Sequence, residues 1–150
     1  VIDTKQLSAA KLRGEISRLF AEKAQQSRMS VNIVSFVYKS GVPLEADLVF
    51  DVRFMPNPYY VPELRYQTGM NDDVYNYVFS FPQTKEFLSQ LEQMLAFLLP
   101  LYQEEGKAVL VVAVGCTGGR HRSVAVAHRL AAHIEALGYT VTESHRDMGR

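Results

Sequence analysis

Residues 108–123, AVLVVAVGCTGGRHRS, decide the fold of this 150-residue chain. The uninterrupted apolar run at 108–114 is typical of a strand buried on both faces of a parallel sheet. A loop of three glycines follows, and the apolar periodicity beyond it predicts a helix over 120–137. Residues 139–142 then predict another strand. One βαβ unit results, so we expect an α/β fold with a mostly parallel sheet flanked by helices.

The preceding part of the chain predicts two more strands and two more helices. The strands are expected at 31–38 and 47–54, and the prolines of 55–62 then require an irregular loop. The helices are expected at 71–77 and 84–99, the second ending or kinking at Pro100. Its predicted buried face is Phe87, Leu91, Met94 and Leu98. The predicted buried face of the last helix is Val124, Ala127, Leu130, Ala131, Ile134 and Leu137.

The composition is that of one soluble globular domain. Hydrophobic residues make up 47% and charged residues 21%, and sixteen basic residues balance sixteen acidic ones. Zero net charge excludes attraction to nucleic acid or to a membrane surface through overall charge, so such binding would need a local patch. The single cysteine, Cys116, cannot form an intramolecular disulfide. This suits a reducing compartment, and we expect a cytoplasmic protein without a membrane-spanning segment.

The loop after the apolar run carries the clearest chemical signal. Free N–H groups at the start of a helix attract anions, and glycines let a phosphate approach the backbone. Hydroxyl and guanidinium groups donate to phosphate oxygens, and an imidazole titrates near neutrality. The candidate phosphate-binding residues are Thr117, Gly118, Gly119, Arg120, His121, Arg122 and Ser123. The alternative is a strand-to-helix turn that needs glycine for its conformation and binds no ligand. The spacing of cysteine, histidine and acidic residues does not indicate a metal site.

The same loop allows a catalytic interpretation. The pattern Cys116-x-x-Gly119-x-x-Arg122-Ser123 resembles the loop of cysteine-dependent phosphatases, in which a thiolate attacks phosphorus. Gly115 stands where those enzymes usually carry a histidine. A phosphatase that uses Cys116 and Arg122 is therefore the alternative to a binding domain.

A second polar cluster lies around the proline loop. Asp51 and Arg53 share one side of the predicted second strand, which favours either an ion pair at a sheet edge or a place in a ligand site. In the second case the rigid proline loop beyond them would hold Asn57 and Tyr59 as fixed hydrogen-bonding groups in a ligand pocket. Lys39, at the end of the first strand, is expected to face the same region.

Three motifs in the same order resemble the C-terminal half of the RapZ-type RNase adaptor family, bacterial proteins also described as P-loop nucleotide-binding proteins. They are FDVRFMPNP at 50–58, LRYQTG at 64–69 and GCTGGRHRS at 115–123, and the resemblance covers roughly 31–146. It implies a domain shaped like part of a phosphofructokinase. Residues 1–28, with an amphipathic pattern at 7–22, would be a linker helix from a P-loop domain that precedes residues 29–150.

The resemblance also implies a regulatory function rather than catalysis. The expected ligand is a phosphorylated amino sugar of the glucosamine-6-phosphate type, and the expected partners are a small regulatory RNA, an endoribonuclease and further copies of the chain in a dimer or tetramer. ATP or GTP is expected only in the preceding domain, so no cofactor is expected for residues 29–150.

Carried over residue by residue, the resemblance assigns the sugar phosphate to the glycine loop and the proline loop. Its ligands would be Thr117, Gly118, His121 and Arg122, with Arg53 and Asn57 close by and Cys116, Gly119 and Ser123 in the same loop. Lys39 and Arg120 would be RNA contacts. Tyr59 and Ser40 stand where better-known members can carry histidine, which reduces the basic character of the expected RNA-binding face.

Overall fold

The computed structural model describes residues 29–148, and the helix predicted over 7–22 lies outside them. One four-stranded sheet forms the centre of the fold, with the strand order β2-β3-β1-β4 and parallel pairing throughout. The strands are β1 (Ser30–Val37), β2 (Leu48–Asp51), β3 (Val109–Cys116) and β4 (Thr140–His145). The expected α/β class is confirmed.

Three helices flank the sheet: α1 (Asp72–Phe79), α2 (Pro82–Glu105) and α3 (Arg122–Ala136). Two single 3-10 turns, Tyr38–Ser40 and Pro58–Tyr60, follow β1 and β2. In the register of the sheet Val37 lies opposite Cys116 and Asp51 lies opposite Gly115. The carboxyl ends of these three strands therefore meet at one edge of the sheet, which is where parallel α/β folds usually bind ligands.

The core lies between the sheet and helices α2 and α3. Residues 110–116 of β3 are all buried, as the apolar run predicts for a central strand. The predicted buried face of α3 is confirmed except at Leu137, which is 37% exposed. Leu137 is the C-cap residue, so it lies past the last helical turn and no longer faces the core.

Helix α2 differs from the expectation in both length and buried face. It begins at Pro82, where a missing N–H costs nothing, and it continues through Pro100 to Glu105. The buried residues are Thr84, Leu88, Leu91, Leu95 and Leu99, whereas the predicted core residue Met94 is 50% exposed. Both stripes are apolar at helical spacing, so periodicity alone does not decide between them. Packing of Leu99 before Pro100 and of Tyr102 after it against the core keeps the chain helical past the proline.

Several boundaries around the expected site also shift. Strand β3 extends two residues further than predicted, to Cys116, and α3 begins two residues later, at Arg122. Strand β2 ends at Asp51, so Arg53 lies beyond it. Gly115 is required within β3 because a Cβ there would lie 2.4 Å from Cζ of Phe36. The irregular loop is consequently 117–121, and it begins where the sheet pairing ends.

A loop before α1 packs against the first turn of α3. The N–H of Gly69 donates to the carbonyl oxygen of Arg120 at 2.8 Å. A Cβ at this position would lie 2.4 Å from the backbone nitrogen of Ala125 and 2.5 Å from the carbonyl oxygen of His121. Only glycine allows this approach, because both obstructing atoms belong to backbone that is held by the sheet and helix.

We expect Gly69→Ala to lower the free energy of unfolding by about 1–3 kcal/mol, because the new methyl group displaces the loop from α3. Gly118→Ala is the matched control, since a Cβ at Gly118 would meet no atom within 4 Å. Urea denaturation followed by circular dichroism measures both variants. Equal stability of the two variants would contradict the close packing described here.

Candidate functional site

A cavity of about 350 Å³ opens at the carboxyl edge of the sheet. The β3–α3 loop forms one wall and the proline loop with the segment after it forms the other. The lining residues are Asn57, Tyr59, Tyr60, Arg65, Tyr66, Thr117, Gly118, Arg120 and His121. The loop wall thus contributes the guanidinium of Arg120, a threonine hydroxyl and a glycine backbone, and the opposite wall contributes three phenol rings and the guanidinium of Arg65.

Three consecutive side chains, those of Arg120, His121 and Arg122, hold the two walls together. Arg120 Nη2 donates to the carbonyl oxygen of Tyr66 at 3.3 Å, and His121 Nε2 donates to that of Arg65 at 3.0 Å. Arg122 Nη1 donates to the carbonyl oxygens of both Arg53 and Met55, at 2.7 and 3.0 Å. Three adjacent residues at the start of α3 therefore position a stretch of chain, 53–67, that has little regular structure of its own.

The environment of the buried His121 imidazole favours its neutral form. The residue is 5% exposed, and burial is the main cause of the lowered pKa of its imidazole. The positive charge of Arg120 also lowers this pKa, whereas hydrogen bonds to backbone carbonyls raise it. A carbonyl oxygen only accepts, so a neutral ring that makes this hydrogen bond carries its hydrogen on Nε2.

Arg122 provides positive charge beneath the loop rather than in the cavity lining. The residue is 4% exposed, and its Nε is buried without a protein hydrogen-bond partner. Its charge also contributes, after the hydrogen bonds from Arg53, to lowering the pKa of the Asp51 carboxyl. A buried guanidinium with a free donor increases the attraction of the loop for an anion.

Arg53 lies outside the cavity lining. Its guanidinium forms an ion pair with Asp51 at 2.7 Å and stacks over the ring of Tyr38, 4.0 Å from the ring centroid. Strand β2 is at the edge of the sheet. Of the two interpretations left open by the sequence, the structure therefore places these residues in an ion pair at a sheet edge.

Cys116 is enclosed at the base of the loop. The residue is 1% exposed, and its Sγ lies 3.1 Å from Ser123 Oγ and accepts the N–H of Gly119 at 3.1 Å. The sulfur and the guanidinium of Arg122 do not line the cavity. In this arrangement the thiol connects the two ends of the loop and is almost completely enclosed.

The structure brings together only part of the predicted set. Asn57, Thr117, Gly118, Arg120 and His121 line the cavity, whereas Arg53, Cys116, Gly119, Arg122 and Ser123 do not. Lys39 is exposed in the 3-10 turn after β1 and also lies outside the lining.

Tyr59 lines the cavity together with Asn57, in the place where the sequence offered both as pocket groups, and three further lining residues are not among the predicted site residues: Tyr60, Arg65 and Tyr66. Arg65 Nε donates to the carbonyl oxygen of Tyr59 at 2.9 Å, and its guanidinium lies 4.7 Å from the centroid of the Tyr59 ring. Each residue is ordinary in isolation. Their concentration in eight positions next to a proline-stiffened loop is the signal that identifies them.

A parallel sheet flanked by helices, with a cavity at the carboxyl ends of its strands, defines an α/β domain whose cavity lies where such folds usually bind ligands. The family model described as the RapZ C-terminal domain matches residues 29–149, and the chain belongs to this family. A protein of Carboxydothermus hydrogenoformans described as a nucleotide-binding protein is 52% identical over 148 residues, which are 99% of this chain and 51% of that relative. The chain thus spans about half the length of this relative, and the family resemblance seen in the sequence is confirmed.

The described residues contain neither a membrane-spanning helix nor a cluster of metal-ligating side chains. Across 29–148 no helix is long and apolar enough to cross a bilayer. In the same part of the chain no group of three or more histidine, cysteine or acidic side chains is arranged to hold a metal ion.

The lowered pKa of His121 gives a testable pH dependence. In the unfolded chain the imidazole regains its ordinary pKa of about 6.5. As the pH falls below about 6.5, the unfolded state takes up a proton that the folded state resists, so the free energy of unfolding decreases; above that pH the contribution of His121 is fully present. We expect His121→Gln, which keeps a donor for the carbonyl of Arg65, to lose less stability than the unchanged protein between about pH 7.5 and pH 5.5.

Urea unfolding at both pH values measures this difference. Identical losses for the two proteins would show that His121 titrates alike in the folded and unfolded states, contrary to the burial described here.

Proposed function

We propose that this domain is a regulatory domain that binds a phosphorylated amino sugar, of the glucosamine-6-phosphate type, in the cavity between the β3–α3 loop and the proline loop. The observation that carries the proposal is the pairing of a cationic, glycine-containing wall with an aromatic wall in one cavity. Its volume of about 350 Å³ is at the lower end of the range of small-molecule sites.

The phosphate group is proposed to bind at the loop wall. Thr117 supplies a hydroxyl, Gly118 leaves the backbone open to an oxygen, and Arg120 supplies a guanidinium, all of them in the cavity lining. The buried charge of Arg122 beneath the loop adds to the attraction. The amino sugar is proposed to face the tyrosine rings, because an ammonium group is attracted to the face of an aromatic ring.

Binding without catalysis is the better reading of this geometry. A thiolate nucleophile must reach phosphorus, whereas Cys116 is 1% exposed and is engaged by Ser123 and Gly119. The arginine of a phosphatase loop must hold the phosphate, whereas Nη1 of Arg122 is used by two backbone carbonyls. We therefore favour the regulatory domain over the cysteine phosphatase.

Membership of the family supports a wider proposal. The domain would bind a small regulatory RNA, present it to an endoribonuclease in the bacterial cytoplasm, and act as a dimer or tetramer. Lys39 and Arg120 are the proposed RNA contacts; both follow strand ends at the same edge of the sheet. ATP or GTP would bind in the other half of the full-length protein.

Isothermal titration calorimetry tests the sugar phosphate. We expect heat with glucosamine-6-phosphate and far weaker binding of unphosphorylated glucosamine, because the phosphate makes the charge-assisted hydrogen bonds. Arg120→Gln should weaken binding about tenfold or more, which corresponds to the loss of one or two such bonds. Arg129→Gln, which removes an arginine on α3 paired with Glu92, is the matched control and should leave affinity unchanged.

No heat at millimolar sugar phosphate, or equal losses in the two arginine variants, would count against the proposed site.

RNA binding is tested by its salt dependence. The logarithm of the binding constant should fall linearly with the logarithm of salt concentration. Lys39→Gln should reduce the steepness of that slope by about 1, the value for one lost phosphate contact. Lys85→Gln, at an exposed position on α2, is the control. A slope that is the same in all three proteins would remove Lys39 from the RNA-binding surface.

A further inference from the structure

Three tyrosine side chains stand on one wall of the cavity, and two of them are mostly exposed. Tyr59 is 50% exposed, Tyr60 is 76% exposed and Tyr66 is 78% exposed. Large rings concentrated at one opening, rather than scattered singly, are a mark of an interaction surface. One monosaccharide ring covers a single ring face, so these tyrosines offer more flat surface than the proposed sugar phosphate uses.

The backbone beneath these rings is fixed. The Oδ1 of Asn57 accepts the N–H of Tyr59 at 3.1 Å and caps the 3-10 turn Pro58–Tyr60. The carbonyl oxygen of Tyr66 is held by Arg120 at 3.3 Å. Because the backbone is already ordered, stacking on these rings costs little further conformational entropy.

The rings are not equivalent. The guanidinium of Arg65 covers one face of Tyr59, and the ring of Tyr60 meets that of Tyr59 edge to face with centroids 5.7 Å apart. The ring of Tyr59 therefore contacts both the Arg65 guanidinium and the Tyr60 ring. Tyr60 and Tyr66, the most exposed of the three, are therefore the rings with flat faces available to a ligand.

Positive charge lies beside these faces. Arg65 and Arg120 line the same cavity as Tyr60 and Tyr66. Aromatic rings next to guanidinium groups match a chain that alternates flat bases with phosphates. In a duplex the faces of the bases are hidden in the stack, so only an unpaired segment offers them.

We infer that Tyr60 and Tyr66 stack on unpaired bases of a single-stranded RNA segment whose phosphates are bound by Arg65 and Arg120. The inference rests on the RNA binding proposed above and specifies the form of RNA that this surface takes. It adds Arg65 and the two tyrosines to the proposed RNA contacts. The exposed tyrosine side chains at the opening of the cavity, rather than its buried part, would then bind the RNA.

The test compares a 12-nucleotide oligoadenylate with a blunt RNA duplex, each titrated into the 150-residue chain. The chain contains eight tyrosines and no tryptophan, so its intrinsic fluorescence reports tyrosine directly. Binding of the single strand should quench this fluorescence, and the duplex should bind more weakly and quench less. Tyr60→Leu and Tyr66→Leu should each weaken single-strand binding about tenfold, whereas Tyr60→Phe should retain it because stacking uses the ring.

Phe97→Leu, which alters an exposed ring on α2, is the control and should have no effect. Equal binding of single strand and duplex, with affinities unchanged in both leucine variants, would overturn the stacking inference and leave the proposed RNA binding standing. Binding of neither RNA would overturn both. An oligoglutamate that competes as well as oligoadenylate would also overturn it, because charge alone would then account for the affinity.

Discussion

The cavity depends on hydrogen bonds from three adjacent residues to backbone carbonyls across the loop. Arg120, His121 and Arg122 donate to carbonyl oxygens in the segment 53–67. That segment contains three prolines and has one 3-10 turn of its own, so its position must come from outside it. A hydrogen bond from a charged donor contributes about 1.5–3 kcal/mol, and two of the three donors are charged.

These contacts give residues of the loop two different functions. Arg122 is buried and holds the backbone near Met55, while Thr117 and Gly118 remain open to the cavity. Arg120 does both, since one nitrogen contacts the carbonyl of Tyr66 and the side chain lines the cavity. A sugar phosphate bound at Arg120 would thus contact the same guanidinium that holds the backbone of Tyr66. This suits a domain that is proposed to bind a sugar phosphate and to change its binding of RNA in response.

The sequence predicts the central elements of the fold well because their signals are local. The apolar run of β3 and the helical periodicity of α3 are each decided by the residues within them. The sequence does not decide the buried face of α2, where two apolar stripes compete and the packing of Leu95 selects one. It also does not show that the helix continues past Pro100 to Glu105, because core packing of Leu99 and Tyr102 outweighs one lost hydrogen bond.

The candidate site is predicted in part for the same reason. Thr117, Gly118 and His121 follow from the motif, because a glycine loop after a buried strand has one usual geometry. The sequence does not show that Arg122 turns toward the carbonyl of Met55, nor that Arg65, Tyr60 and Tyr66 face the loop, since those contacts join positions more than fifty residues apart. Gly69 allows the loop before α1 to pack closely against α3, and this role becomes apparent only from the position of the Ala125 backbone in the structure.

The most direct measurement is a crystal structure of the chain with glucosamine-6-phosphate bound. We expect the phosphate to lie against the backbone of Thr117 and Gly118 with an oxygen on the guanidinium of Arg120, and the sugar to face the tyrosines. A phosphate bound elsewhere on the molecule, with the cavity between the two loops filled only by water, would contradict it.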